Sequence, residues 1–137
     1  MSGPQDAINR IQAIARGLDG VKQAPDYVPE SMNQFPFAIT YYRQGETTAM
    51  TGWRKGLHTV HCEIHVARQI LPSAIKQAMP YYDALVAALE ADPRLGNTVS
   101  TIVWPVTHTF GWMEYGGQDN LTIGWRFAIT VKQEISS

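Results

Sequence analysis

The apolar positions of this chain switch between helical and strand spacing along its length. Ile8, Ile11, Ile14 and Leu18 recur at three- and four-residue steps, which predicts a first helix over residues 4–17 with these side chains on one face. Ser2 followed by Gln5 has the form of a capping box, and Gly17 and Gly20 supply the end. The next stretch, QAPDYVPESMNQFP, carries three prolines and no period, so it reads as an extended loop at the surface or against a neighbouring chain.

From Phe35 the period becomes two. Phe35, Phe37, Ile39 and Tyr41 alternate with Pro36, Ala38, Thr40 and Tyr42, and RQGE at 43–46 reads as a turn. A weaker strand is expected over Thr47–Arg54 and a third over 57–68. Pro72 and Pro80 then punctuate a helical pattern. Proline inside a helix removes a hydrogen bond at a cost of ~3 kcal/mol, which favours two helices, 73–78 and 80–91. Tyr82, Leu85, Val86 and Leu89 form the apolar face of the second, and Asp92-Pro93 and Gly96 end it. Thr98–Trp104 reads as a strand, Val106–Tyr115 as its bent continuation, and GGQDN as a hairpin loop. In the last strand Leu121, Ile123, Trp125, Phe127, Ile129 and Val131 face one way, and Thr122, Gly124, Arg126, Ala128, Thr130 and Lys132 the other. This order predicts a single α+β domain over 1–137: a mostly antiparallel sheet with helices packed on one face, plus an extended proline-rich segment at 24–36.

Composition narrows the function. The 137 residues suffice for one core. Only 17% of them are charged, below the usual ~25%, so the surface is unusually neutral. Net charge is −1, without the basic stripe of a nucleic-acid binder. A single cysteine excludes an internal disulfide and argues against a secreted, disulfide-stapled domain. No signal peptide is readable, and no apolar run approaches the ~20 residues of a membrane span. The expectation is a chain made in the cytoplasm, soluble or built into an assembly.

The stretch LHTVHCEIHV holds His58, His61, Cys62, Glu63 and His65, and invites a metal or catalytic reading. Strand alternation divides it. His58, Val60, Cys62, Ile64 and Val66 share one face; Thr59, His61, Glu63 and His65 share the other. Alternate strand positions are ~6–7 Å apart and zinc ligands lie ~2 Å from the ion, so two side chains could converge but a third ligand must come from elsewhere. His108 is the only other histidine. A polar row facing solvent or an interface fits better than a metal site. Cys62 on an apolar strand face lacks the exposure that activates a thiol. Nucleophile elbow, Walker loop and dinucleotide fingerprint are all missing, and carboxylates such as Asp83 and Glu90 sit among ordinary helix residues. The expectation is a protein without catalytic residues, metal or cofactor.

The positive signal is uncharged aromatic surface. From Asn97 to Met113 the chain has no Asp, Glu, Lys or Arg, and Trp104, Phe110, Trp112 and Tyr115 lie within or just past this stretch. Soluble monomers usually guard sheet edges with charge, so a second subunit is expected to cover this one; the alternative is cover by the chain's own helices. The 24–36 segment, with Tyr27, is a second candidate contact, and the row His61, Glu63, His65 a third.

Four stretches, APDYVPESMNQFPFAITY, HTVHCEIHVAR, ILPSAIKQAMPYYDALVAALEADPRLGNTV and MEYGGQDNLTIGWRFAITV, cover most of the chain from Ala24 to Val131. Their order, the R-x-x-L-P to P-x-x-D-x-L passage from Arg68 to Leu85 and the terminal hairpin resemble the tail terminator (tail completion) proteins of long-tailed bacteriophages. The resemblance implies a structural virion protein that forms a ring, commonly a hexamer, at the top of the tail tube. One ring face would stop tube polymerisation against the tail tube protein, and the other would dock on the head–tail connector or neck. Genome DNA would cross the lumen without specific binding, and no chemistry is carried over. The rivals are another head–tail connector or neck protein, a metal- or thiol-dependent enzyme, and a monomeric cytoplasmic ligand-binding domain.

Overall fold

The computed structural model describes residues 3–29, 34–68, 72–114 and 121–136. Six elements follow one another: α1 (Pro4–Arg16), β1 (Phe37–Met50), β2 (Trp53–Ala67), α2 (Pro72–Ala91), β3 (Thr101–Glu114) and β4 (Leu121–Ser136). The strands form one antiparallel sheet in the order β1-β2-β4-β3. The β2–α2–β3 passage skips one strand position, and β4 fills it as the antiparallel neighbour of both.

Both helices pack on the same face. Val60, Cys62, Ile64 and Val66 of β2 and Trp125, Phe127, Ile129 and Val131 of β4 meet Ala7, Ile8, Ile11 and Ala15 of α1 and Ala78, Leu85 and Leu89 of α2 in one core. The expected α+β architecture, with its helices on one side, is therefore what the chain adopts. The period-two reading of β4 holds from Ile123 onward; Leu121 lies beyond the helices and is exposed.

Several boundaries differ. No turn forms at 43–46: β1 continues through it, and a register shift between Tyr42 and Gln44 absorbs the extra residue as a bulge. The turn is Thr51-Gly52, where Gly52 adopts φ 76°, a backbone state glycine enters without steric cost. The weak strand expected over Thr47–Arg54 is thereby divided between β1 and β2. The cap of α1 is Gly3, which has no side chain to make a cap bond, and Gln5 bonds Asn9 instead of closing a box; Ser2 lies outside the described residues. β3 runs on through Pro105, with its register break between Val103 and Thr107.

The two helices expected on either side of Pro80 are one. Pro80 is exposed, while Ala74, Ala78, Tyr81, Leu85 and Leu89 hold both halves to the core. Trp125 Nε1 donates to the Ala78 carbonyl at 2.8 Å, anchoring the helix to β4 two residues before the proline. Burial on both sides outweighs one missing backbone bond. Replacing Pro80 by Ala restores that donor and is expected to raise unfolding free energy by up to about 3 kcal/mol, measured by urea denaturation. An unchanged or lower value would show that the proline geometry is required for seating α2.

Candidate functional site

The face of the sheet opposite the helices carries a buried polar cluster built by register. Phe37, Ile39 and Tyr41 of β1 lie opposite His65, Glu63 and His61 of β2, and Glu63 in turn pairs with Arg126 of β4. The polar row was expected to face solvent or a neighbouring subunit. Instead Glu63 and His65 are buried within the chain, and only His61 keeps partial exposure.

Glu63 accepts on both oxygens. Oε1 takes a bond from His65 Nε2 at 2.8 Å; Oε2 takes one from Arg126 Nε at 2.8 Å and another from the Tyr41 hydroxyl. The second ring nitrogen of His65 meets the Thr122 hydroxyl, which also lies 3.3 Å from the Met113 carbonyl oxygen. Phe37 stacks on the His65 ring at 4.4 Å and 6°. Burial alone would push the Glu63 carboxyl up, but the bonds from His65, Tyr41 and Arg126 together outweigh it and hold the carboxyl down at about 2. Burial, with the adjacent carboxylate, pushes the Tyr41 phenol up to about 12. The cluster thus joins three strands: Tyr41 from β1, Glu63 and His65 from β2, Thr122 and Arg126 from β4.

Thr122, His65 and Glu63 share the composition of a hydroxyl–imidazole–carboxylate relay. Thr122 is 3% exposed and His65 0%, so the hydroxyl offers no approach to a substrate. The arrangement clamps strands together. Among the described residues no group of three His, Cys, Asp or Glu is placed to hold a metal. Cys62 is fully buried on the helix side, and burial pushes its thiol up to about 12, the reverse of activation. His58 faces the helix side as well and pairs with the Tyr42 hydroxyl at 2.9 Å.

The aromatic candidates fall elsewhere. β3 is the edge strand beside β4. On it Trp104 and Trp112 are 44% and 49% exposed. Phe110 is half-buried and packs on Trp125 with ring centres 5.0 Å apart, so it belongs partly to the core. Tyr27, 73% exposed, sits at the opposite edge. There the proline-rich segment is held by Gln12 Nε2 to the Pro25 carbonyl, Arg16 Nε to the Ala24 carbonyl and a bridge from Gln23 to Phe37. Tyr115 lies outside the described residues. The candidates therefore occupy three regions: the buried clamp, the β3 edge and the β1 edge.

Sequence reasoning missed Tyr41, Thr122 and Arg126 as partners of Glu63. Each stands on the correct alternating face, but only the register of β1 and β4 against β2 brings them to one carboxylate. Fold and clamp define a two-layer α+β protein with a hydrogen-bonded open sheet face. No known protein family matches the sequence, and no curated protein is similar to it.

Proposed function

We infer that the protein is a structural ring subunit of a long-tailed bacteriophage virion, placed where the tail tube meets the head. Its ring stops tube polymerisation on one face and joins the head–tail connector or neck on the other. One observation carries the reading: β3 is a sheet edge of 14 residues whose only Asp, Glu, Lys or Arg is the terminal Glu114, and it exposes two tryptophans. An edge of that kind invites pairing with another chain unless it is covered. The open sheet face agrees with a water-filled lumen, since Thr59, Thr107, Thr109, His61 and Arg126 give it a polar, weakly charged surface past which DNA can slide. No described helix is long and apolar enough to cross a membrane.

Negative-stain imaging of the purified protein tests this directly. Rings with a central hole support the reading; uniform small particles, with a monomer mass by light scattering, overturn it. Pull-down with tail tube protein against portal or adaptor separates a terminator from another neck protein. Trp112→Glu places a charge at a half-exposed position of the edge, and is expected to leave a folded monomer that no longer assembles. Phe110→Glu is the poorer probe, because Phe110 also packs on Trp125. Unchanged ring formation by Trp112→Glu would remove β3 from the interface.

A further inference from the structure

The helix layer covers β3 only in part: Ile102 is buried in the core, while Trp112 is exposed. α1 packs chiefly on β1, and α2 on β2 and β4. The helix-side face of β3 is left as a ledge: His108, Phe110 and Trp112 lie opposite the core residues Phe127, Trp125 and Ile123 and so point toward the helix layer. Tyr82 of α2 closes its inner wall, 4.8 Å from His108 and 5.8 Å from Trp125 between ring centres. The floor is aromatic, and β3 brings no charge to it before Glu114.

At the far side of the sheet, Pro25-Asp26-Tyr27-Val28-Pro29 presents the matching chemistry. It has a proline at each end and bends at Asp26 and Tyr27, and Tyr27 and Val28 are both exposed. Its single charge, Asp26, is already paired with Arg16, so it offers no unpaired charge to an uncharged ledge. The bonds from Gln12 and Arg16 already hold its base, so little conformational entropy is lost when it docks. The arm cannot serve its own ledge. It is pinned at β1 by Gln12, Arg16 and the Gln23–Phe37 bridge, three strand spacings or roughly 14 Å from β3, with the helices between. Complementary surfaces on opposite edges are what a head-to-tail ring contact requires.

We propose that the arm 25–29 of one subunit seats on the aromatic ledge between α2 and β3 of the next copy of this chain. The proposal rests on the ring reading and names its contact. An aromatic side chain offers about 150–250 Å², well below the roughly 800 Å² per partner of a stable interface, so the arm supplements the sheet-edge contact and sets its direction.

The test is site-specific crosslinking. Tyr27→Cys and Trp112→Cys variants, distinguished by tag size, are co-expressed and treated with a short bismaleimide under native conditions. Cys62 is buried and stays unreactive, as the unsubstituted chain verifies. Circular dichroism checks the fold, and Val28→Cys serves as a second arm position. A mixed adduct joining one chain of each kind, from protein whose light-scattering mass is that of a ring, is the expected result. Rings that give no adduct, or only adducts between like variants, overturn the arm contact and leave the ring reading standing. An unsubstituted chain that is monomeric overturns both.

Discussion

Glu63→Ala is expected to destabilise the fold by about 3–5 kcal/mol, because it strips the shared acceptor from a buried, charge-assisted network. Three donors lose their partner together: His65 Nε2, the Tyr41 hydroxyl and Arg126 Nε. Arg126 can turn to water, being on the open face, but His65 cannot. Each donor left buried and unpaired costs about 1–3 kcal/mol. Urea unfolding followed by tryptophan fluorescence measures the loss; a change under about 1 kcal/mol would mean that water replaces the carboxylate without penalty.

The same network sets an acid limit. The folded carboxyl sits at about 2 against an ordinary value of 4.5. A group whose folded value is depressed contributes stability that is complete above its unfolded value and vanishes as pH falls through the folded one. The contribution of Glu63 is therefore whole above pH 4.5 and is lost between there and about 2. Glu63→Gln, which keeps the volume and removes the titration, is expected to flatten this acid limb in parallel urea series. A variant with the same slope as the natural chain would move the acid sensitivity to other groups.

Gly124→Ala is expected to be the other severe change. Gly124 lies opposite His65 in the β2–β4 ladder, where the added Cβ would collide with the Ile64 carbonyl oxygen and lie 2.9 Å from its carbon and 3.0 Å from His65 Cα. These are backbone atoms, so no side chain can swing aside. The cost is about 3 kcal/mol or more, at or above the upper end of ordinary overpacking. Thermal denaturation reads the stability, and amide exchange along β2 and β4 locates the damage. Protection lost first around Ile64–Ala67 would match the clash; a melting point equal to the natural chain's would show that β4 can shift outward freely.

Legibility in the sequence followed the local signal. α1 and the Ile123–Val131 half of β4 were readable because one buried face imposes a regular period on side chains whose burial depends on little else. The helix face was read as Tyr82, Leu85, Val86 and Leu89, while the buried set adds Ala74, Ala78 and Tyr81 and leaves Tyr82 and Val86 half-covered. Small residues carry a weak hydrophobic signal, yet they mark where α2 comes closest to the sheet. Pro80 and RQGE were misread for a common reason. Each is a local disfavour of a few kcal/mol at most, and the burial of the flanking segments overrides it.

His61, Glu63 and His65 show the same division at the candidate site. Alternation placed them on one face and separated Cys62 from them, and the structure keeps that separation. Whether that face was wet or buried depended on what lay across from it. Phe37 stacked on His65, Tyr41 and Arg126 bonded to Glu63, and Thr122 bonded to His65 come from two other strands, up to 63 residues from Glu63 in the chain.

By itself, then, the sequence determined periodicity: which residues form helices and strands, which side of each turns inward, and that one long stretch of β3 carries no charge. Tertiary structure alone decided register and cover. Register put one carboxylate within reach of three donors and buried Glu63 and His65 on the face away from the helices, and the extent of the helix layer left Trp112 of β3 uncovered. The physical reason is range. Alternation and helical spacing are set by neighbours a few residues apart, whereas hydrogen-bonded clusters and uncovered faces depend on pairings whose partners no local pattern names.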